Sequence, residues 1–245
     1  MATLDGQRVV VTGAARGIGA AIARRCAAEG ALVAVLDRLI EPGRRLAAEL
    51  GGEFVAVDLA DPVGTVAATG AAVELLGGID LLVNNAGILK FVPLLDISAG
   101  EWDEMFAINT RAMLLTIQVA ARAMIAADRP GRIVNLASMA AKSGGAGHGH
   151  YAASKAAVAA LTRIAALELG PHGITVNCLC PGYVLTEMGA ATRTVADVAA
   201  WSALSPLGRL GTEADVAGVV AFLAGPDGGY LTGQSINVTG GMIMH

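Results

Sequence analysis

The chain has 245 residues, 54% of them apolar and 16% charged, with 17 Lys and Arg against 21 Asp and Glu. That much Ala, Val, Leu and Ile offsets the ordering entropy of folding and excludes a disordered chain. The formal charge of −4, with Lys and Arg scattered, gives no footprint for nucleic acid or an anionic membrane, and neither partner is expected. The first residues, MATLDGQRVVVTG, lack a signal peptide's basic flank and cleavage site, and no apolar run reaches the roughly 18 residues that span a bilayer.

Taken in chain order, seven short runs rich in β-branched residues read as strands: RVVVTG, ALVAVLD, EFVAVDL, IDLLVNN, GRIVNLAS, GITVNCLCP and SINVTG. Most are continuously apolar, the pattern of strands buried on both faces of a parallel sheet. Helical segments alternate with them at 17–29, 42–50, 62–76, 101–127, 151–169 and 213–224. Asp61-Pro62 marks the start of the third, and Gly170-Pro171 the end of the fifth. The expected fold is a doubly wound, Rossmann-like α/β sheet of about seven parallel strands with helices on both faces, one domain over 1–245. Residues 183–211 break the rhythm at the carboxyl edge of the sheet, where a substrate lid would lie.

The first strand runs into Thr12-Gly13-Ala14-Ala15-Arg16-Gly17-Ile18-Gly19 and then a helix. Glycines let the backbone approach a pyrophosphate, and a helix N-terminus offers free N–H groups and positive dipole. The spacing is G-x-x-x-G-x-G rather than G-x-G-x-x-G. Asp37 closes the second strand, where a carboxylate accepts from ribose hydroxyls and repels a 2′-phosphate, which points to NAD over NADP. Arg16 and Arg38 flank the same corner and pull the other way.

Tyr151 and Lys155, four apart at a helix start, emerge on one face. An adjacent ammonium favours a phenolate and is expected to lower the tyrosine's pKa, fitting it to shuttle a proton. Ser138, after the fifth strand, would hold the substrate oxygen.

TGAARGIG, Asp37, Asn84-Asn85-Ala86-Gly87, Asn109, Ser138, YAASK and Pro181-Gly182 occur in the order and spacing of the short-chain dehydrogenases/reductases, which the whole chain resembles. The resemblance implies that Gly13, Arg16, Gly17, Ile18 and Gly19 line the pyrophosphate end of the cofactor. It sets Asp37 with Arg38 at the adenosine ribose, Asp58 and Leu59 at the adenine, and Asn85, Ala86 and Gly87 at the cofactor floor. It makes Tyr151 the acid/base, Lys155 its tuner and ribose ligand, Ser138 the substrate orienter, and Asn109 the anchor of a relay water. Pro181, Gly182, Val184 and Thr186 would cradle the nicotinamide.

Met139, His148, Tyr183 and Met188 are candidate substrate contacts, with Trp201 and Leu204 near them. His148 and His150 lack an acidic or Cys partner nearby, so no metal is expected. Cys26, Cys178 and Cys180 read as core residues in a reducing, cytoplasmic setting. The apolar ending GGMIMH suits burial against a second subunit, and the resemblance implies a homotetramer. The activity expected is NAD(H)-dependent dehydrogenation of a secondary alcohol or reduction of a ketone. The alternatives are an NADPH-dependent 3-oxoacyl-thioester reductase and a non-catalytic NAD(H) sensor.

Overall fold

The computed structural model describes residues 3–186 and 194–244. Seven strands form one parallel sheet in the order β3-β2-β1-β4-β5-β6-β9. They are β1 (Arg8–Thr12), β2 (Leu32–Asp37), β3 (Glu53–Ala56), β4 (Leu81–Asn84), β5 (Gly131–Leu136), β6 (Ile174–Pro181) and β9 (Ser235–Val238). All seven runs read from the sequence are strands of this sheet. A small second sheet pairs β7 (Val184–Leu185) with β8 (Gly211–Thr212); two residues per strand carry no periodicity a sequence could reveal.

Both faces of the sheet are covered, which is why its strands are apolar throughout. Val9 and Val11 pack toward α1 (Gly17–Ala28), α2 (Ile40–Leu50) and α9 (Glu213–Ala224), while Val10 between them packs toward α3 (Pro62–Leu75), α5 (Ala112–Ala126) and α7 (Gly149–Leu169). Alternation across a strand sends neighbours to opposite faces. Cys26 lies in the first core layer and Cys178 and Cys180 in the second; all three are buried and free.

The segment expected as one helix over 101–127 is built in three pieces. A capping box sets its start earlier: Ser98 Oγ accepts from the Glu101 N–H and the Glu101 carboxylate accepts from Ser98, opening α4 (Ala99–Phe106). A π-turn over Ala107–Arg111 then joins α4 to α5. Within this turn sits Asn109, whose side chain bonds to both backbone groups of Ile88, Oδ1 accepting from the Ile88 N–H at 2.8 Å and Nδ2 donating to its carbonyl at 3.0 Å. Two further helices are α6 (Ala140–Ser143) and α8 (Val195–Ala203).

The sheet order reverses between β1 and β4, so their connections leave in opposite directions and open a crevice at the carboxyl ends. The glycine turn after β1, Asp37 at the end of β2, Asn84-Asn85 at the end of β4, Ser138 after β5 and Pro181 at the end of β6 all meet along this edge.

Candidate active site

The glycine turn combines close backbone approach with side-chain braces from neighbouring strands. Gly13 and Gly17 each have φ of 62°, the left-handed region that favours glycine. A Cβ on Gly13 would stand 2.7 Å from Ala86 Cα, and one on Gly19 would overlap the Gly13 carbonyl oxygen and Asn85 Nδ2. Asn85 ties this turn to β4: its Nδ2 donates to the carbonyls of Thr12 and Gly13. Thr12 Oγ1 in turn accepts from the N–H groups of Asn85 and Ala86. Thr12 was not singled out in the sequence, since a Thr ending a strand carries no signal by itself.

Helix α1 begins with no side-chain cap and no acidic residue in its first turn, whereas α3, α4, α8 and α9 are capped by Asp61, Ser98, Thr194 and Thr212. An uncapped N-terminus beside glycines is a cradle with free donors, and an anion such as a pyrophosphate satisfies them. The turn therefore fits a dinucleotide.

Asp37 is buried at the same corner. Its Oδ2 accepts from the Ala15 N–H and its Oδ1 from the Leu39 N–H, both at 2.9 Å, so the carboxylate braces the turn and keeps spare lone pairs for hydroxyl donors. Arg16 and Arg38 are exposed there and form no ion pair among the described residues. Asp58 Oδ1 caps its own turn through the Ala60 N–H, and Leu59 lines a small cavity with Thr12, Asn84 and Ala86.

At the chemical end, Tyr151 and Lys155 leave the first two turns of α7, and Ser138 faces them. The Lys155 amine lies 5.9 Å from the centre of the Tyr151 ring and donates to the Leu136 carbonyl at 2.7 Å. Burial pushes the amine down to about 8 from 10.5.

The direction expected for Tyr151 is corrected here. Burial holds the phenol above its ordinary value, and the hydrogen bond with Ser138 pulls it down only in part. The amine reaches a carbonyl rather than the phenol oxygen, so desolvation wins over charge attraction. Ser138 Oγ also accepts from the Ala140 N–H at 3.1 Å, which fixes the hydroxyl relative to α6.

Asn109 is fully buried, and beyond Ile88 its Nδ2 lies 3.0 Å from Ser154 Oγ. Its side chain thus holds the Ile88 segment against α7. A Cβ on Gly87 would stand 3.1 Å from Asn109 Oδ1 and 3.2 Å from Lys155 Nζ, so Gly87 lies directly over these two groups. Ser154, missed in the sequence, passes the contact on to the Tyr151 carbonyl at 2.7 Å.

Pro181 closes β6, and Gly182 donates to the Val238 carbonyl at 3.0 Å. Val184 is buried in β7, and Thr186 follows that strand. Met139 donates its N–H to the Pro181 carbonyl at 2.9 Å. Tyr183 stacks on Trp201 of α8, ring centres 4.7 Å apart, while Leu204 is exposed. Met188 lies outside the described residues.

His148 packs edge-on against Tyr151 and against Phe91, with centroids 6.0 Å and 5.5 Å away. Its Nδ1 is buried without a partner. His150 turns into the protein, fully buried. No group of three or more His, Cys, Asp or Glu that could hold a metal occurs among the described residues. None of their helices is long and apolar enough to cross a membrane.

A family model described as enoyl-(acyl carrier protein) reductase matches residues 13–243. The sorbitol dehydrogenase of Cereibacter sphaeroides is 39% identical, over 97% of this chain and 98% of that protein. The 3-oxoacyl-[acyl-carrier-protein] reductase FabG of Vibrio cholerae is 37% identical, over 98% and 99%. The crystal structure of gox2181 superposes with a TM-score of 0.92 at 31% identity, covering 99% of this chain and 98% of that one.

Proposed function

This chain belongs to the short-chain dehydrogenase/reductase family and is an oxidoreductase acting on CH–OH groups, and we propose that it interconverts a secondary alcohol of a polyol and its ketone with NAD(H). The observation that carries the reading is the meeting of Ser138, Tyr151 and Lys155 at the mouth of the crevice that the glycine turn and Asp37 close at its other end.

When bound, the nicotinamide dinucleotide supplies the hydride acceptor or donor. Gly13, Gly17, Ile18 and Gly19 present the open backbone for its pyrophosphate. Asp37 takes the adenosine ribose hydroxyls, with Arg16 and Arg38 beside it and Asp58 and Leu59 at the adenine. Asn85, Ala86 and Gly87, together with Pro181, Gly182, Val184 and Thr186, enclose the rest.

The protein's chemical task is proton handling. Buried and above its ordinary pKa, the Tyr151 phenol holds a proton to donate to a carbonyl oxygen in reduction; alcohol oxidation runs from the phenolate, which takes the hydroxyl proton and becomes the phenol. Ser138 holds that oxygen beside the phenol, and Lys155, pinned by Leu136, sets the charge behind it. Asn109 positions the Gly87–Ile88 floor through its bonds to Ile88.

His148 sets a polar ring edge-on beside Tyr151, a surrounding that suits the hydroxyls of a polyol better than an acyl chain. Met139 and Tyr183, with the segment around Met188, complete this side. We further infer one unit over 1–245 with 183–211 as its lid, a homotetramer and a cytoplasmic setting, the last supported by three buried free thiols.

Exposed Arg16 and Arg38 favour a second reading, NADPH-dependent reduction of a 3-oxoacyl thioester. Initial rates on sorbitol with NAD and NADP, and on an acetoacetyl thioester with NADH and NADPH, separate the two. Polyol turnover with NAD at roughly tenfold or greater preference over NADP is expected from Asp37. Faster turnover of the thioester with NADPH would replace the first reading by the second.

A further inference from the structure

A polar row is set into the apolar face of the sheet just below the catalytic edge. Asn84 of β4 stands opposite Asn135 of β5 in the strand register, and Asn135 opposite Cys178 of β6. All three are buried. Leu82 and Ile133, two residues earlier on the first two strands, pack in the core layer beneath α5 and α7, so the asparagines project from that same face. Two amides buried there are costly unless their polar atoms are met.

They are met by a chain that runs one way. Thr116 Oγ1 of α5 donates to Asn84 Oδ1 at 2.6 Å, the shorter of its two bonds. Asn84 Nδ2 donates to Asn135 Oδ1 at 3.0 Å, and Asn135 Nδ2 donates to Thr162 Oγ1 of α7 at 2.9 Å. The Thr162 hydroxyl passes its own hydrogen to the Val158 carbonyl at 2.8 Å. Each side chain accepts from the one before it and donates to the next, the arrangement in which hydrogen bonds polarise and strengthen one another.

Thr162 lies seven residues, about two helical turns, beyond Lys155, so both side chains leave the same face of α7. Their partners on β5 are consecutive: the Asn135 side chain holds Thr162, and the Leu136 carbonyl holds the Lys155 amine at 2.7 Å. Otherwise this face meets the core layer through Val158, Ala159, Ala165 and Ala166, whose apolar contact sets no direction along the helix axis. A hydrogen bond does set one. Ser138 follows Asn135 by three residues, so the Asn135–Thr162 bond ties the helix that carries Tyr151 and Lys155 to the strand that leads into Ser138.

We propose that Asn135 and Thr162 are positioning residues for the reaction: their bond seats α7 along its axis so that the Lys155 amine stands behind Tyr151 and the phenol meets Ser138. The proposal rests on the roles given above to Tyr151 and Lys155. Thr162→Val keeps the volume and removes the acceptor, whereas Thr162→Ser keeps the hydroxyl.

Rates are measured on sorbitol with NAD or on an acetoacetyl thioester with NADPH, whichever turns over. T162V should lower kcat about tenfold with NADH affinity unchanged, and T162S should restore kcat to within about twofold of wild type. In a Lys155→Met background T162V should cost less than about twofold in kcat, because no amine is left to place, while Tm falls by a similar amount in both backgrounds. If T162V does not fold, Thr162→Cys, whose thiol is a weak acceptor, should show a smaller loss of the same pattern. An equal loss of kcat with and without Lys155, a fall in Tm alone, or a loss of NADH affinity in step with kcat would overturn the proposal. Tyr151→Phe in the same assays separates the two readings: turnover surviving in Y151F removes the catalytic roles together with this proposal, whereas an inactive Y151F beside an unaffected T162V removes this proposal alone.

Discussion

The two ends of the crevice are built on opposite plans. At the glycine turn the side chains are braced in advance, while the backbone donors of the helix start stay open: Asn85 bonds the turn, Thr12 bonds Asn85 and Ala86, and Asp37 bonds both Ala15 and Leu39. On the substrate side, by contrast, Phe91, Leu94 and Leu95 stand exposed, His148 keeps a buried nitrogen without a partner, and Tyr183 stacks on Trp201. A shared dinucleotide can be met by a cradle whose side chains are braced before it arrives, while a variable substrate requires side chains left uncommitted until it binds.

Substitutions at Lys155 should separate the two plans most sharply. Lys155→Met is expected to lower turnover by two orders of magnitude or more, roughly the worth of positioned proton handling. It should also stabilise the fold by about 1–3 kcal/mol, because a buried ammonium is removed. The sign follows from the pKa: with the folded value near 8 and the ordinary one at 10.5, the unfolded chain holds the proton more tightly. Lys155 therefore weakens the fold below pH 8, and this loss fades as pH rises from 8 to 10.5. Thermal unfolding of both proteins across that range should show their Tm values converging; a constant gap would mean that the amine is not the cause.

Next in size is Gly19→Ala, whose methyl group overlaps the Gly13 carbonyl and Asn85. NADH affinity should fall by about 100-fold, the equivalent of 2–3 kcal/mol of displaced backbone. Fluorescence titration measures it, and unchanged affinity would show that the turn is looser than its hydrogen bonds imply. Smallest is His148→Leu, expected to raise KM for sorbitol about tenfold with kcat and NADH affinity nearly unchanged, one lost hydrogen bond on the flexible side. A fall in kcat alone would instead tie His148 to the chemistry of Tyr151.

The rigid end was also the legible one. Apolar strands, a glycine turn and Asp37 at a strand end are local patterns, and each reads correctly because burial on two faces and a helix N-terminus impose them directly. The YAASK spacing similarly put Tyr151 and Lys155 on one helical face. What escaped depended on distant partners. Asn109 sits in a π-turn of a long helix with its amide bonded to Ile88, 21 residues away. Tyr151 rises in pKa instead of falling because the fold buries it more than Lys155 compensates. His150 gave no sign in sequence that its ring would turn inward.

The claim on which the rest depends is that the Tyr151 hydroxyl carries the proton at the reacting oxygen. Tyr151→Phe removes that one atom and keeps the ring against His148. Turnover of sorbitol with NAD should drop at least about 1,000-fold in this variant while NADH binds with wild-type affinity. Turnover within a few fold of wild type, with the cofactor bound normally, would contradict it.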